Sequence, residues 1–261
     1  MANGYATGYG LNNRFPTPDA DAMAFINAAG ITDATQVSAI NTLVIELKGN
    51  GLWEKFHAIY PFVGGTAASH SYNLVNPSSY QILWSASGVT HNGNGITGNG
   101  STGYGDTQYI IPPSLQNNFH ISVYVRNNVD SKCAIGCLNS GAVVVSQIYP
   151  RSSNQFEGDI NQNVASASSN SDSRGFFCAS RLNSSINKGY KNENEVISFN
   201  INSLTPANTP LYLLARKGSS VVDYSSYNLA FATIGTGLIA SENIILYQVS
   251  QQYQLKLSRE V

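Results

Sequence analysis

His120-Ile121-Ser122-Val123-Tyr124-Val125 alternates along an extended chain, placing Ile121, Val123 and Val125 on one face. Comparable β-favouring runs surround it at residues 80–84, 109–111, 142–148, 175–181, 196–201, 211–216 and 229–234. Gly, Asn, Pro and Ser punctuate the gaps, and spacings of roughly ten to twenty residues suit a sandwich or jelly roll rather than alternating α/β units. Val143-Val144-Val145 lacks alternation and reads as a strand buried on both faces. The fold class expected is mainly β and antiparallel.

Helical signals flank this block. Thr17 before Pro18, with Asp19 and Asp21 following, reads as a cap, an N1 proline and first-turn acids, and Gly30 ends that helix. Thr32-Asp33 opens a second, in which Val37, Ile40, Val44 and Leu47 share a face before Lys48-Gly49 stops it. Residues 52–56 read as one further turn. At the other end, Ser241-Glu242 starts a helix in which Ile245, Val249, Tyr253 and Leu257 step by four, and Arg259 suits its C-terminal dipole. The expected organisation is an arm at residues 1–16, a helical segment at 17–65, and a β-sandwich at 66–261 ending in a helix packed outside it.

Composition narrows the function. Of 261 residues only 11% are charged, against roughly 25% in ordinary soluble domains, and the net charge is −1. That balance gives no grip on phosphates, so nucleic acid is not an expected partner. No run approaches the ~18 apolar residues of a membrane span, and the N-terminus lacks the features of a signal peptide, so synthesis in a cytoplasm is expected. Cys133, Cys137 and Cys178 are an odd number without zinc-ligand spacing, and buried free thiols are the expected state. The four histidines form no metal motif; neither metal nor cofactor is expected.

Three candidate constellations remain. Gly93-x-Gly95-x-x-Gly98 matches a nucleotide-loop spelling, but no helix follows, so an Asn-Gly hairpin connection is expected. Glu157-Gly158-Asp159 offers half of a glycosidase carboxylate set, yet Asn161-Gln162 stands where further acids would come; a surface turn is expected, with a depolymerase as the remote alternative. Tyr104, Asp106, Tyr109, Tyr224, Tyr227 and Asn228 fall in or near loops and could hold a sugar, ring face on aromatic and hydroxyls on amide or carboxylate. The competing reading, which the low charge favours, has these tyrosines lining the core edge or a subunit interface.

Three groups of residues carry a family resemblance. The first is Ile40-Asn41-Thr42-Leu43-Val44 with Leu47 through Trp53 and Ile59-Tyr60-Pro61-Phe62-Val63-Gly64-Gly65. The second is Gly88-Val89-Thr90 through Asn99-Gly100, Gly103-Tyr104-Gly105-Asp106-Thr107 and Asn118 through Tyr124. The third is Asp172-Ser173-Arg174-Gly175-Phe176-Phe177, Ala230 through Gly235, Leu246-Tyr247 and Leu257-Ser258-Arg259. Together they resemble a family of tailed-bacteriophage virion proteins, common in phages of Bacteroidetes hosts, with a concanavalin A-like (laminin-G-like) jelly roll. The resemblance spans about residues 33–261. It implies a non-enzymatic structural role as a fibre, decoration or tail/neck component, built in host cytoplasm and located in the virion. Other virion proteins, a homo-oligomer (dimer or trimer) and host surface glycan are the implied partners, without membrane insertion. The arm before Phe15, with Tyr5 and Tyr9, lies outside the match and is the expected virion anchor. Free cysteines agree with assembly in a reducing cytosol.

Overall fold

The structure, a computed structural model, describes residues 18–139, 141 and 143–261. Tyr5, Tyr9, the rest of the arm and Thr17 lie outside the described residues. Helices α1 (Ala20–Ala29) and α2 (Ala34–Gly49) come first, then a 3-10 turn at Trp53–Lys55 and strand β1 (Phe56–Tyr60). The short α3 (Ala67–His70) leads to β2 (Leu83–Trp84), β3 (Val89–Asn92), β4 (Gly95–Gly98), β5 (Gly105–Ile110) and β6 (Phe119–Val125). There follow β7 (Ile135–Leu138), β8 (Val145–Ser152), β9 (Gln155–Gln162), β10 (Ala167–Ser169), β11 (Gly175–Arg181), β12 (Ile186–Lys191) and β13 (Asn194–Asn200). The chain continues with β14 (Pro210–Leu213), β15 (Arg216–Lys217), β16 (Val221–Val222) and β17 (Asn228–Gly235), and α4 (Ala240–Lys256) is the last helix.

The strands form two sheets. One runs β13-β12-β11-β6-β17-β4-β3, with β1 also paired to β17; the other runs β10-β9-β8-β7-β14-β5-β2, with the β15/β16 hairpin beside β7. All pairings are antiparallel except the single β15–β7 contact. The expected mainly-β sandwich with helices at both ends is therefore what this chain forms. The segment read as helical also carries a strand, β1, whose Ala58 and Tyr60 fill the inter-sheet core.

The first sheet is buried on both faces, which is why β6, β11 and β17 are so apolar. Ile121, Val123 and Val125 point between the sheets, as their alternation requires, against Ile135, Ile148, Leu211 and Leu213 of the opposite sheet. Tyr124, Phe176, Cys178, Tyr190 and Phe231 point the other way, under Ile40, Leu43, Val44 and Leu47 of α2 and Leu246, Val249 and Tyr253 of α4. Each such side chain contributes about 1.5–3 kcal/mol on full burial. The helices thus cover one sheet and leave the outer face of the other without a helical layer.

Local signals hold with some corrections. Asp19 caps α1, accepting from the Asp21 and Ala22 N–H groups, and Lys48 of α2 clasps both Asp19 and Asp21. Gly30 ends the helix at φ 66°. Asp33 caps α2; α4 starts at Ala240 with Ile239 at the cap position, so Ser241 is inside the helix rather than its cap, and Glu242 closes the first turn by accepting from the Ile239 N–H at 2.9 Å. The Gly-Asn segment is the expected hairpin, β3–β4, with the positive φ at Gly95 where a side chain would strike the Leu229 backbone. The valine run is not a doubly buried strand: Val143 is 52% exposed and β8 begins only at Val145. The Asn139 side chain draws the N–H groups of Val143 and Val144 into a turn there. Arg259 is no exposed helix-end cation either. It is buried, and its guanidinium donates to the carbonyls of Pro61, Phe62 and Ala230 and to the Gln254 amide oxygen.

Candidate functional site

The open sheet aligns one row of residues across its strands. Asp159 (β9) stands opposite Gln147 (β8), then come Gly136 (β7), Tyr212 (β14), Asp106 (β5) and Leu83 (β2). Leu211 and Leu213 point inward, so Tyr212 between them points out. On this outer face Tyr104 stacks on Tyr212 with ring centroids 5.0 Å apart and planes 21° apart, and Tyr224 leans in at 6.4 Å and 47°. Tyr104, Tyr224 and Asp106 are half-buried, whereas Tyr212 beneath them is 7% exposed. The result is an aromatic platform with a carboxylate at its edge.

Local sequence chemistry holds each member in place. Asn99 folds its side chain over the N–H groups of Ser101, Thr102 and Gly103, turning the chain into Tyr104. Gly103 passes so close to the Gly88 backbone that a Cβ would collide with it. The Tyr104 N–H then donates to Ser85 Oγ and its carbonyl accepts from the Ser85 N–H, both at 3.0 Å. Asp106 Oδ1 accepts from the Gln108 N–H at 2.8 Å, and Oδ2 accepts the Tyr212 O–H at 3.1 Å. Burial and then the Asp106 charge push the Tyr212 phenol up, so it stays a donor. Tyr224 follows Asp223, which takes a left-handed φ of 54° and accepts from the Cys133 N–H.

Beside the platform lies a ridge of hydrogen-bonded charge. Arg216 pairs through Nη2 with Asp223 and through Nη1 with Gln147 Oε1, and its guanidinium sits 5.8 Å above the Tyr149 ring. Gln147 turns its amide nitrogen onto Asp159 Oδ2 at 2.8 Å. From the far side the fully buried Arg181 donates to Gln162 Oε1, and Gln162 Nε2 donates to Asp159 Oδ1 at 2.7 Å, as does the Ser166 N–H. Two arginines, each acting through a glutamine, thus aim donors at one buried carboxylate. Burial still holds the Asp159 carboxyl up at about 7, against those donors.

The sequence-predicted residues divide accordingly. Tyr104, Asp106 and Tyr224 come together. Tyr109 does not join them: it is buried in the inter-sheet core, stacked on Phe119 and hydrogen-bonded to His57. Tyr227 is also in the core, its O–H donating to the Arg151 carbonyl. Asn228 is half-buried and braces Thr97 and Ile96 of β4. Glu157 and Asp159 are not in a surface turn but on β9, and Asp159 is fully buried with both oxygens occupied. Burial also raises the pKa of Glu157. Tyr212 is the member the sequence reading missed, although the flanking Leu211 and Leu213 carried the signal.

Elsewhere, the three cysteines are free and buried, and burial pushes their thiols up. His70 and His91 face each other through Nδ1 atoms 3.1 Å apart, and burial pushes His70 down to about 3, so one neutral ring donates to the other. Among the described residues no group of three or more His, Cys, Asp or Glu side chains could hold a metal, and no helix is long and apolar enough to cross a membrane.

No protein-family model matches the sequence, and no characterised protein matches it at the sequence level. Solved structures do share the fold. Trypanosoma rangeli sialidase in complex with sialic acid is similar at a TM-score of 0.53 and 9% identity, covering 83% of this chain and 39% of that one. The same enzyme with a difluorinated KDN ligand gives 0.52 and 9%, covering 83% and 40%. Mouse laminin α1 domains LG4-5 are more distant, at a TM-score of 0.36, 10% identity, and coverage of 47% and 37%. This chain spans about 40% of the length of the sialidase chains, and at such identities what is shared is the β-sandwich.

Proposed function

We propose that this protein is a non-enzymatic glycan-binding sandwich that serves as a structural component of a tailed-phage virion. The observation that carries the binding reading is the Tyr104–Tyr212–Tyr224 platform with Asp106 at its rim. The apolar face of a pyranose packs on tyrosine rings, and its hydroxyls donate to a carboxylate that has acceptor capacity left. The support is the platform itself, since a fold shared at 9% identity brings no ligand with it. Hydrolysis by Glu157 and Asp159 is disfavoured because a carboxylate enclosed by two amides and a backbone N–H cannot reach a glycosidic bond.

The test is binding of host-surface glycans to the full chain, measured by ligand-observed NMR. Binding that Tyr104→Ala abolishes is the expected result; binding that survives Tyr104→Ala together with Tyr224→Ala refutes the assignment to this face. The virion setting draws on the sequence resemblance, and quantitative mass spectrometry of purified particles tests it. A fixed copy number relative to the major capsid protein is expected; absence from particles removes the virion role and leaves the binding module.

A further inference from the structure

We infer that the glycan accepted at this platform is neutral, a chain of hydroxylated rings without carboxylate, sulfate or phosphate, an inference that rests on the glycan-binding reading above. The charge touching the platform is that of Asp106. Each of its oxygens accepts one protein hydrogen bond, and a carboxylate has about four acceptor sites, so it can still take sugar hydroxyls as donors. It offers an anion nothing but repulsion.

The neighbouring cation does not reverse this. Arg216 gives one N–H of Nη1 to Gln147 and one of Nη2 to Asp223, and its Nε is enclosed without a partner. An incoming carboxylate would have to share that guanidinium with Asp223, the residue that carries Tyr224 into the platform, and so would meet a second negative charge besides Asp106. Glu157 and Asp159 stand beyond, on β9. Among the described residues of this face, Asp106 therefore stands without a cationic partner, while Arg216 is paired with Asp223 and Lys132 acts on Glu157. Phosphate- and carboxylate-binding sites need the reverse, an arginine fork not already paired with a carboxylate. A sugar carboxylate held within about 5 Å of Asp106 meets enough repulsion to weaken binding roughly tenfold or more, even with partial screening.

The experiment uses the full chain on matched pairs that differ only in charge: lactose against 3′-sialyllactose, and galactan fragments against polygalacturonate fragments of equal length. Kd values are measured at low salt, where repulsion is largest. The expected result is binding of a neutral member, with its acidic partner roughly tenfold or more weaker. Asp106→Asn, which keeps an oxygen for the Gln108 N–H and an amide N–H that the Tyr212 hydroxyl can accept, should weaken the neutral member about tenfold and narrow the gap to the acidic one. An acidic member bound as tightly as its neutral partner, and lost in Tyr104→Ala, overturns the inference while the glycan-binding reading stands. Binding of no member, or binding indifferent to Tyr104→Ala, removes both.

Discussion

Arg259→Met tests a buried guanidinium that ties the C-terminal tail to the rest of the fold. Arg259 is 1% exposed and has no carboxylate among its hydrogen-bond partners; carbonyls and an amide solvate its charge instead. Methionine fills similar volume, so the cost reduces to the acceptors left behind. Pro61 O retains the Tyr253 O–H at 3.0 Å, and Ala230 O retains Gln254 Nε2 at 3.4 Å. Gly93 O, reached at 3.5 Å, belongs to an exposed residue and can turn to water, whereas Phe62 O and Gln254 Oε1 lose the donors shown for them, at 2.8 and 3.0 Å. An orphaned buried acceptor costs about 1–3 kcal/mol, so two cost about 2–6 kcal/mol. Releasing the desolvated guanidinium returns part of this, leaving a net loss of about 3 kcal/mol. Arg259→Lys should lose less, because an ammonium can reach Phe62 O and Pro61 O but cannot fork to Gln254 as well. Urea unfolding followed by fluorescence of Trp53 and Trp84 measures this, with the midpoint falling and the slope unchanged. An Arg259→Met midpoint within about 0.5 kcal/mol of wild type, or below it for Lys but not for Met, would refute the role of Arg259 as a staple holding the C-terminal tail to β17 and the segment after β1.

Further expectations are as direct. Asp159 has its carboxyl raised to about 7 in the fold against about 3.9 unfolded, so folding favours its protonated form. Its stabilising contribution is complete below about pH 4 and is lost as pH rises through about 7, at up to about 1.4 kcal/mol per pH unit. Asp159→Asn should flatten that part of the pH profile of urea midpoints, and parallel profiles for variant and wild type would contradict the assignment. Gly103→Ala should cost about 2 kcal/mol or more in a thermal melt, because its Cβ has no room against Gly88; a wild-type melting temperature would show the Asn99 turn to be pliable. Tyr212→Phe keeps the platform but frees Asp106, so it should cost about 1 kcal/mol of stability, read as a change in urea midpoint. Cys133, Cys137 and Cys178 should react with a thiol reagent only at the unfolding rate, and a fast-reacting thiol in the native protein would contradict their burial.

Much of the fold was legible because it depends on short-range chemistry. Alternation in residues 120–125 identified the inward face of β6, and Asp33, Gly30 and Glu242 marked helix ends by satisfying or releasing backbone groups locally. What escaped was β1. Phe56, Ile59 and Tyr60 favour extended chain, but they directly follow a helix and a further helical turn, and only the ladder with β17 shows where the strand begins. The valine run failed in the opposite sense, since Asn139 captures its backbone N–H groups before a ladder can.

The site divides along the same line. Sequence alone determined that this chain is a low-charge β-sandwich with helices at both ends, since periodicity and capping are properties of neighbours along the chain. It also proposed the tyrosines and carboxylates that could meet a sugar. Only the tertiary structure decided among them. It moved Tyr109 and Tyr227 into the core and set Asn228 between strands. It buried Asp159 under two glutamines and joined Tyr104 and Asp106 to Tyr212, more than a hundred residues away. Which face of a strand meets water depends on what packs against it, and that is settled only when the helices have covered one sheet and left the other open.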